Sequence, residues 1–157
     1  MAKVSAGLLM YRVRSGAVEV LLVHPGGPFS KNKDAGAWSI PKGEVADGEE
    51  LLEAARREFA EELGLRATGV FIDMGSVKQK SGKVVHAWVF EGDCDPATVR
   101  SNTFELEWPP NSGMVQEFPE IDRAASFDLP TARRKIISAQ AEFLDRLAQQ
   151  LPDKTRR

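Results

Sequence analysis

The strongest pattern of apolar and polar positions along the chain lies between residues 48 and 63. Apolar side chains recur there at three- and four-residue intervals, at Leu51, Leu52, Ala55, Phe59 and Leu63. With ~3.6 residues per turn, these positions share one side of a helix, as in helices that pack against a sheet. Asp47 is a good N-cap, Glu50 completes a capping box with it, and Gly64 is suited to close the helix. The pattern therefore predicts a helix over residues 48–63.

Apolar segments before and after this helix predict the strands of a sheet. Residues 5–12 and 18–23 flank turn-forming residues at 14–17, which is typical of two antiparallel strands. The second segment, VEVLLV, is apolar almost throughout, as in strands that are covered on both faces. Further strands are expected at 67–74, 76–80, 83–91 and 103–108, the middle pair joined by a hairpin turn. The sheet should therefore carry helices on both sides.

The last part of the chain predicts a second helical layer. Apolar residues repeat on one face over residues 129–151, so this segment should cover the sheet opposite the first helix, with a break near Ser138. Residues 25–37, rich in Gly, Pro and small polar residues, are predicted as a loop. Residues 116–125, in which Glu117 and Glu120 flank Phe-Pro, are predicted as an acidic loop.

The composition is that of a globular chain. Of its 157 residues, 42% are hydrophobic and 28% are charged, which suits one domain with a substantial core. We predict that domain over residues 1–151 and a flexible tail at 152–157. The formal net charge of −2 lacks the basic excess typical of nucleic-acid-binding proteins. General nucleic-acid binding is therefore not expected, and the chain is expected to be a monomer or a homodimer.

The cysteine count and the apolar segments bear on location. The chain has one cysteine, Cys94, which excludes an internal disulfide and favours a reducing compartment. The first residues lack the layout of a signal peptide, and no apolar stretch approaches the ~20 residues that a membrane-spanning helix needs. The sequence favours a cytoplasmic protein with no membrane partner.

Three carboxylates near the end of the predicted helix are the first candidates for chemistry. Glu58, Glu61 and Glu62 stand at i, i+3 and i+4, so their side chains share one patch at the edge of the apolar stripe. At an effective dielectric of ~20, two charges ~6 Å apart repel by roughly 3 kcal/mol. A divalent cation such as Mg²⁺ or Mn²⁺ would remove that cost and would join the carboxylates to substrate phosphates. For the triplet alone, the alternative is a solvated surface held by pairs such as Glu53 with Arg57.

The spacing around these acids resembles the Nudix box. That pattern is Gly, five residues, Glu, seven residues, Arg-Glu, an apolar residue, any residue, Glu-Glu, any residue, Gly and an apolar residue. Its nine fixed places are all matched, by Gly43, Glu49, Arg57, Glu58, Phe59, Glu61, Glu62, Gly64 and Leu65. A match of this length is far more specific than a short motif. The chain therefore resembles the Nudix hydrolases.

The resemblance implies a fold and a metal site. The fold would be an α/β class, Nudix-type α/β/α sandwich with a mixed central sheet, and the cofactor would be Mg²⁺, with Mn²⁺ able to substitute. The residues that would hold the cation are Gly43, through its carbonyl, Glu58, Glu61 and Glu62. In this family an acid from outside the box often joins the metal site or serves as base. Glu117 and Glu120 are the candidates for that role.

Two further roles follow from the resemblance. Glu49 and Arg57 would pair and so hold the loop against the helix. Glu61 is the first candidate for the general base that takes a proton from the attacking water, and Glu58, Glu117 and Glu120 are the alternatives.

The segment that leads into the box resembles the entry seen in dinucleoside polyphosphate hydrolases. Residues 38–43, WSIPKG, carry its Trp, Pro, Lys and Gly. The expected reaction is hydrolysis of a phosphoanhydride in a nucleoside diphosphate linked to another group, with diadenosine polyphosphate as the favoured substrate. The alternatives are nucleoside triphosphates, nucleotide sugars, capped RNA ends and inositol pyrophosphates. The alternative of a different class is a Nudix module that senses a nucleotide without cleaving it, although no acid of the box is missing here.

Four side chains are candidates for contact with substrate. Lys42 adjoins the box, while Lys31 and Lys33 lie in the predicted loop 25–37, where solvated side chains are the alternative. His86 lies in a predicted strand, where a packed side chain is the alternative. The other histidine, His24, follows a buried strand, and a structural role is favoured for it.

Overall fold

The computed structural model of the chain describes residues 3–151. Its strands are β1 Val4–Arg14, β2 Ala17–Pro25, β3 Lys42–Glu44, β4 Ile72–Lys78, β5 Val84–Glu91, β6 Thr103–Glu107, β7 Val115–Pro119 and β8 Ile121–Asp128. Its helices are α1 Leu51–Leu63, α2 Leu129–Lys135 and α3 Ala141–Gln150, with short 3₁₀ helices at Pro96–Thr98 and Ser138–Gln140. The predicted tail at 152–157 lies outside the described residues.

The main sheet mixes parallel and antiparallel strands. Its strands lie in the order β4, β5, β1, β2, β8, and β3 pairs with the first residues of β1. β1 and β5 run parallel, and the other pairs are antiparallel. α1 packs on one face of this sheet and α2 and α3 pack on the other. The predicted α/β/α sandwich with a mixed sheet is therefore confirmed. β6 and β7 form a separate two-stranded hairpin.

Two apolar cores lie on the opposite faces of the sheet. One includes Phe59 and Leu63 of α1, and the other includes Phe143 and Leu147 of α3. Successive residues of β2 point alternately into these two cores, because neighbouring side chains of a strand face opposite sides. Each residue from Val20 to Val23 is at most 2% exposed. Burial on both faces explains why VEVLLV has almost no polar position.

Helix α1 begins later than the sequence pattern predicts. Gly48 has a φ of +77°, outside the helical region, and the N-cap is Glu50, whose side chain makes no capping bond. The predicted N-cap Asp47 and its capping box with Glu50 are therefore wrong. A local turn takes their place, in which the Glu49 amide donates to the Ala46 carbonyl at 3.0 Å and the Ala46 amide donates to the Glu49 carboxylate at 3.1 Å.

The other end of α1 follows the prediction. Gly64 closes the helix with a φ of +70°, and its amide donates to the Ala60 carbonyl at 2.7 Å. A side chain at this position would be strained by the φ value and would also crowd Arg100. Glycine is needed here for both reasons.

Two predicted boundaries in the second half of the chain are wrong. The predicted strands at 67–74 and 76–80 are one strand, β4, which continues through Gly75 where its register with β5 shifts, and residues 67–71 lie outside it. The predicted acidic loop at 116–125 consists of the end of β7, Glu120 and the start of β8. Its Pro and acidic residues resemble a loop, yet they occupy an exposed hairpin strand and the turn after it.

The C-terminal segment is broken as predicted. α2 and α3 are separated at residues 136–140, around the expected position of Ser138. Within residues 3–151 we find no helix with the length and apolar character that crossing a membrane requires.

Candidate active site

The acids of the motif lie where α1 meets β3. Pairing of β3 with β1 places Gly43 opposite Ala6, on the sheet face that α1 covers. The Glu58 carboxyl packs directly against Gly43, and a Cβ atom there would overlap it. The absence of a side chain therefore lets the β3 backbone and a helix carboxylate meet.

Arg57 joins the loop before α1 to two of these acids. Its Nε and Nη2 donate to the Glu49 carboxylate at 2.8 and 3.0 Å, a bidentate pair. Its Nη1 donates to Glu58 at 2.9 Å and to Glu61 at 3.2 Å. The Arg57 hydrogen bonds, helped by the Ala46 amide, lower the pKa of Glu49 to about 2. The two partners named from the motif are thus in contact, and Arg57 also reaches the acid patch.

Glu62 and Lys42 form the more buried part of the patch. The Lys42 amide donates to the Glu62 carboxylate at 3.3 Å. Burial raises the pKa of Glu62 to about 8, against the attraction of the Lys42 charge and with the repulsion of Glu58 and Glu120. Burial also lowers the pKa of Lys42, and the Lys83 charge lowers it further. Strongly perturbed acids of this kind are concentrated at functional sites.

Of the two acids predicted outside the motif, one reaches the patch. Glu120 lies between β7 and β8, where burial and the charge of Glu61 raise its pKa. Burial raises the pKa of Glu58 as well, and Glu120 is among the charges that add to this rise. Glu117 instead lies opposite Glu105 in the hairpin with an exposed side chain. The structure brings Glu120, and not Glu117, to the motif acids.

Backbone hydrogen bonds fix Glu120 relative to α1. The Asn102 amide donates to the Glu61 carbonyl at 2.9 Å, and the Glu120 amide donates to the Asn102 carbonyl at 2.8 Å. The Glu120 carbonyl in turn accepts from the Gly26 amide at 2.8 Å. The end of the helix, the base of the hairpin and the end of β2 are therefore joined at this residue.

The remaining substrate-contact candidates lie apart from these bonds. Lys31 and Lys33 are exposed in the loop after β2. His86 Nε2 lies 2.7 Å from the Asp73 carboxylate, and its ring centroid lies 4.6 Å from that of Trp88. The described contacts of His86 are thus with side chains of β4 and β5.

The sequence did not predict two side-chain pairs, Lys83 with Glu44 and His24 with Asp122, although it favoured a structural role for His24. Lys83 lies 3.9 Å from the Glu44 carboxylate at the end of β3. His24 is fully buried and hydrogen-bonded to Asp122, which is 98 residues away in the chain. No local spacing could indicate either pair, because each depends on which strands become neighbours.

The donors at this site fit a divalent cation in kind. Carboxylate oxygens and the Gly43 carbonyl are the hard ligands that Mg²⁺ and Mn²⁺ prefer, and glycine leaves the room a Cβ would fill. In their present orientation, no three His, Cys, Asp or Glu side chains among residues 3–151 are grouped to hold a metal. Glu58 and Glu61 instead share the Arg57 guanidinium, whose Nη1 donates to both.

Comparison with known proteins gives a family and a partial relative. The family model of the NUDIX domain matches residues 1–147. An RNA pyrophosphohydrolase from Novosphingobium aromaticivorans is 51% identical over 41 residues, which are 26% of each chain. The aligned part thus spans about a quarter of that relative's length.

Solved structures of similar fold cover nearly the whole chain. A C. elegans Ap4A hydrolase binary complex has a TM-score of 0.66 and 22% identity over 92% of this chain and 96% of that one. The NUDIX domain of Shewanella oneidensis NrtR, complexed with ADP ribose, has a TM-score of 0.65 and 12% identity, covering 97% and 90%. A MutT protein from Methanosarcina mazei Go1 has a TM-score of 0.62 and 22% identity, covering 95% and 94%. At these identities the likeness shows the fold alone.

Proposed function

Because this chain belongs to the Nudix family, we propose that it hydrolyses, with a divalent cation, a phosphoanhydride in a nucleoside diphosphate linked to another group. The observation that carries the proposal is that backbone hydrogen bonds through Asn102 tie Glu120 to the end of α1, near the three acids of an unbroken motif. Burial and mutual repulsion hold the pKa values of Glu58, Glu62 and Glu120 above their usual range. A site with this charge distribution favours a cation and the phosphates that it neutralises.

The cation would be held by Glu58, Glu61, Glu62 and Glu120 with the Gly43 carbonyl. When bound, Mg²⁺ or Mn²⁺ supplies neutralisation of phosphate charge and lowers the pKa of water. The protein would contribute the placement of these donors: three carboxylates would come from α1 and the carbonyl from β3, while the backbone bonds at Asn102 hold the backbone of Glu120 near them.

Glu61 is the proposed general base. Its side chain is 37% exposed, so water reaches its carboxylate at the rim of the patch, and an Oε atom there accepts the proton of the attacking water. Glu58 is the alternative base, but its side chain is only 13% exposed and its carboxyl packs against Gly43. These surroundings suit Glu58 better to holding the cation.

Lysine side chains would meet the phosphates. Lys42 stands beside Glu62 and would balance charge on the phosphate nearest the acids. Lys31 and Lys33, exposed in the loop after β2, would meet phosphates farther along a chain. A compact ammonium suits such point contacts. His86 is a weaker candidate for a substrate contact, because its ring is already hydrogen-bonded to Asp73 and packed against Trp88.

The favoured substrate is diadenosine polyphosphate. It is supported by the WSIPKG entry to the box and by the likeness in fold to an Ap4A hydrolase. The second candidate is a pyrophosphate at an RNA end, which the 41-residue match to an RNA pyrophosphohydrolase favours. We propose a cytoplasmic setting, and a monomer or homodimer, on the composition alone.

One assay separates these candidates. The full-length protein is incubated with Mg²⁺ and, in parallel, diadenosine tetraphosphate, ATP, ADP-ribose and 5′-triphosphorylated RNA, and the products are resolved by chromatography. We expect ATP and AMP from diadenosine tetraphosphate, with label from ¹⁸O-water in one product. A preference of more than ~10-fold in kcat/KM for another substrate, about 1.4 kcal/mol, would contradict the proposed substrate. The proposal that the protein is a hydrolase would stand. Binding without turnover of any compound would favour the sensing module.

A further inference from the structure

His24, at the end of β2, joins three segments of the chain. Its side chain is 0% exposed. Its Nδ1 lies 2.8 Å from the Asp122 carboxylate in β8, and its Nε2 lies 2.6 Å from the Lys33 carbonyl oxygen in the loop after β2. The Trp38 ring stands edge-on to it, with 5.2 Å between ring centroids. The histidine therefore fastens this loop and the start of β8 to the end of β2.

Both hydrogen-bonding partners of the ring are acceptors. A carbonyl oxygen can only accept, so Nε2 donates to the Lys33 carbonyl, while Nδ1 shares its hydrogen bond with the Asp122 carboxylate. The Arg123 guanidinium lies 3.6 Å from the same carboxylate and also helps to hold it. Bonds between charged groups are stronger and more directional than neutral ones.

These bonds enclose the backbone that carries Glu120. Two residues after His24, the Gly26 amide donates to the Glu120 carbonyl at 2.8 Å. A Cβ atom at Gly26 would overlap the Pro119 carbonyl, so only glycine allows this close approach. Two residues after Glu120, Asp122 makes its bond to His24. Glu120 thus lies between two contacts with the short segment 24–26, one from its own carbonyl to Gly26 and one from Asp122 to His24.

We propose that His24 is a positioning residue of the active site. By holding Asp122 and the Lys33 carbonyl, it fixes the backbone of Glu120, and the loop that carries Lys31, relative to the acids of α1. The kinetic consequence rests on the proposed function, whereas the structural consequence does not.

The first test is spectroscopic and needs no substrate. The chain has two histidines, so His86→Gln assigns the ring signals of the ¹⁵N-histidine-labelled protein. We expect a slowly exchanging hydrogen on Nε2 of His24, because that nitrogen is buried and donates to the Lys33 carbonyl. An Nε2 without a bonded hydrogen, or one whose hydrogen exchanges as fast as a solvent-exposed ring N–H, would overturn the proposal.

The second test measures amide hydrogen exchange in His24→Gln. A glutamine amide cannot donate in the two opposite directions that the ring serves, so Lys33 or Asp122 loses its bond. Exchange at the Gly26 and Glu120 amides should be faster by about tenfold, while exchange in the centre of β1 stays unchanged. Equal rates at Gly26 and Glu120 in the variant and the wild type would contradict the proposal. A uniform increase throughout the protein would do so as well, by showing global destabilisation only.

The third test is kinetic. Removal of an outer partner of a metal-holding group typically costs ~10–100-fold in metal affinity or activity, so His24→Gln should lower kcat by that factor with KM within about twofold. Asp122→Asn should give the same loss, and the double variant should lose no more than the worse single one, since both act through one bond. Asp128→Asn is the matched control, because it changes a carboxylate at the far end of the same strand and retains a capping side chain.

The outcomes separate the two proposals. If the wild type cleaves none of the tested compounds, the proposed function fails, and the spectroscopic and exchange results alone decide the role of His24. If the wild type is active and His24→Gln keeps its kcat, the positioning role is overturned and the hydrolase stands.

Discussion

Two cations face the acids of this site, and their surroundings differ. Arg57 lies at the rim, 37% exposed, and its guanidinium donates to Glu49, Glu58 and Glu61. Lys42 lies further inside beside Glu62, where burial lowers its pKa and raises that of the acid. Water screens the ion pairs of Arg57, so these pairs fix the positions of the acids more than they stabilise the fold. The inner charges are poorly solvated, so their protonation responds strongly to any further cation.

This difference suggests two roles: Arg57 fixes the shape of the site, whereas the charges of Lys42 and Glu62 would take part in its chemistry. Arg57 is bonded in a fixed fork that ties the turn before α1 to the helix. Glu62 has no comparable partner, since its described hydrogen bond comes from one backbone amide at 3.3 Å. A divalent cation should therefore affect the inner acids most.

Removal of the divalent cation should have the largest effect on activity. If activity did not change, the contrast between the Arg57 and Lys42 surroundings would have no consequence for catalysis. EDTA should abolish turnover, and Mn²⁺ added in excess should restore it, because Arg57 and Lys42 alone do not neutralise four carboxylates and a polyphosphate. The measurement is product formation, with Mg²⁺-saturated EDTA as the control. Full activity in EDTA would mean that the two protein cations suffice.

Replacing the proposed base should have the next largest effect. Glu61→Gln should lower kcat by ~10²–10⁴-fold, the usual contribution of a general base, while the free energy of unfolding changes by less than ~0.5 kcal/mol because the side chain is partly exposed. Glu53→Gln is the control, since Glu53 lies on the same helix and is 63% exposed near Arg56. Near-normal kcat in Glu61→Gln would transfer the role of base to Glu58.

A third comparison concerns the two acids outside the motif. Glu120→Gln should lower activity by ~10–100-fold, because its carboxylate belongs to the patch. Glu117→Gln should change kcat and KM by less than twofold, because the Glu117 side chain is exposed in the hairpin opposite Glu105. Steady-state rates at several Mg²⁺ concentrations measure both. Equal losses in the two variants would show that the hairpin takes another position when substrate binds.

The smallest expected effect is on stability. Gly43→Ala should lower the free energy of unfolding by ~1–3 kcal/mol, the usual cost of overpacking, because the new methyl displaces the Glu58 carboxyl. Chemical denaturation measures this change. The double variant with Glu58→Ala should recover part of the loss, since the two substitutions share one contact. Full additivity would indicate that the strain arises elsewhere.

Local patterns predicted the parts of this molecule that depend on neighbouring residues. The apolar stripe of α1, its end at Gly64 and the motif acids all follow from spacing within one helix. The start of α1 did not follow, because the Glu49 carboxylate is used by Arg57 and by the Ala46 amide, and the chain turns there before it becomes helical. That competition is decided by side-chain contacts across the loop.

Strand pairing between distant segments determines the contacts that the sequence did not predict. Glu117 and Glu120 are alike in sequence, and the hairpin places one in a strand and the other in the turn that meets α1. His24 and Asp122 meet only because β8 pairs with β2. Neither fact is written in a local pattern.

The hairpin has a consequence for how such a protein can diversify. The two ends of residues 103–119 are joined where the Glu120 amide donates to the Asn102 carbonyl, and Phe104 and Trp108 of this segment lie against Gly27 and Phe29 in the loop after β2. A change at the tip of the hairpin, near Asn111, need not move the backbone of Glu120, because the bond at the base holds the two ends together. The tip of the hairpin can therefore vary in sequence and length while the backbone at Glu120 keeps its place.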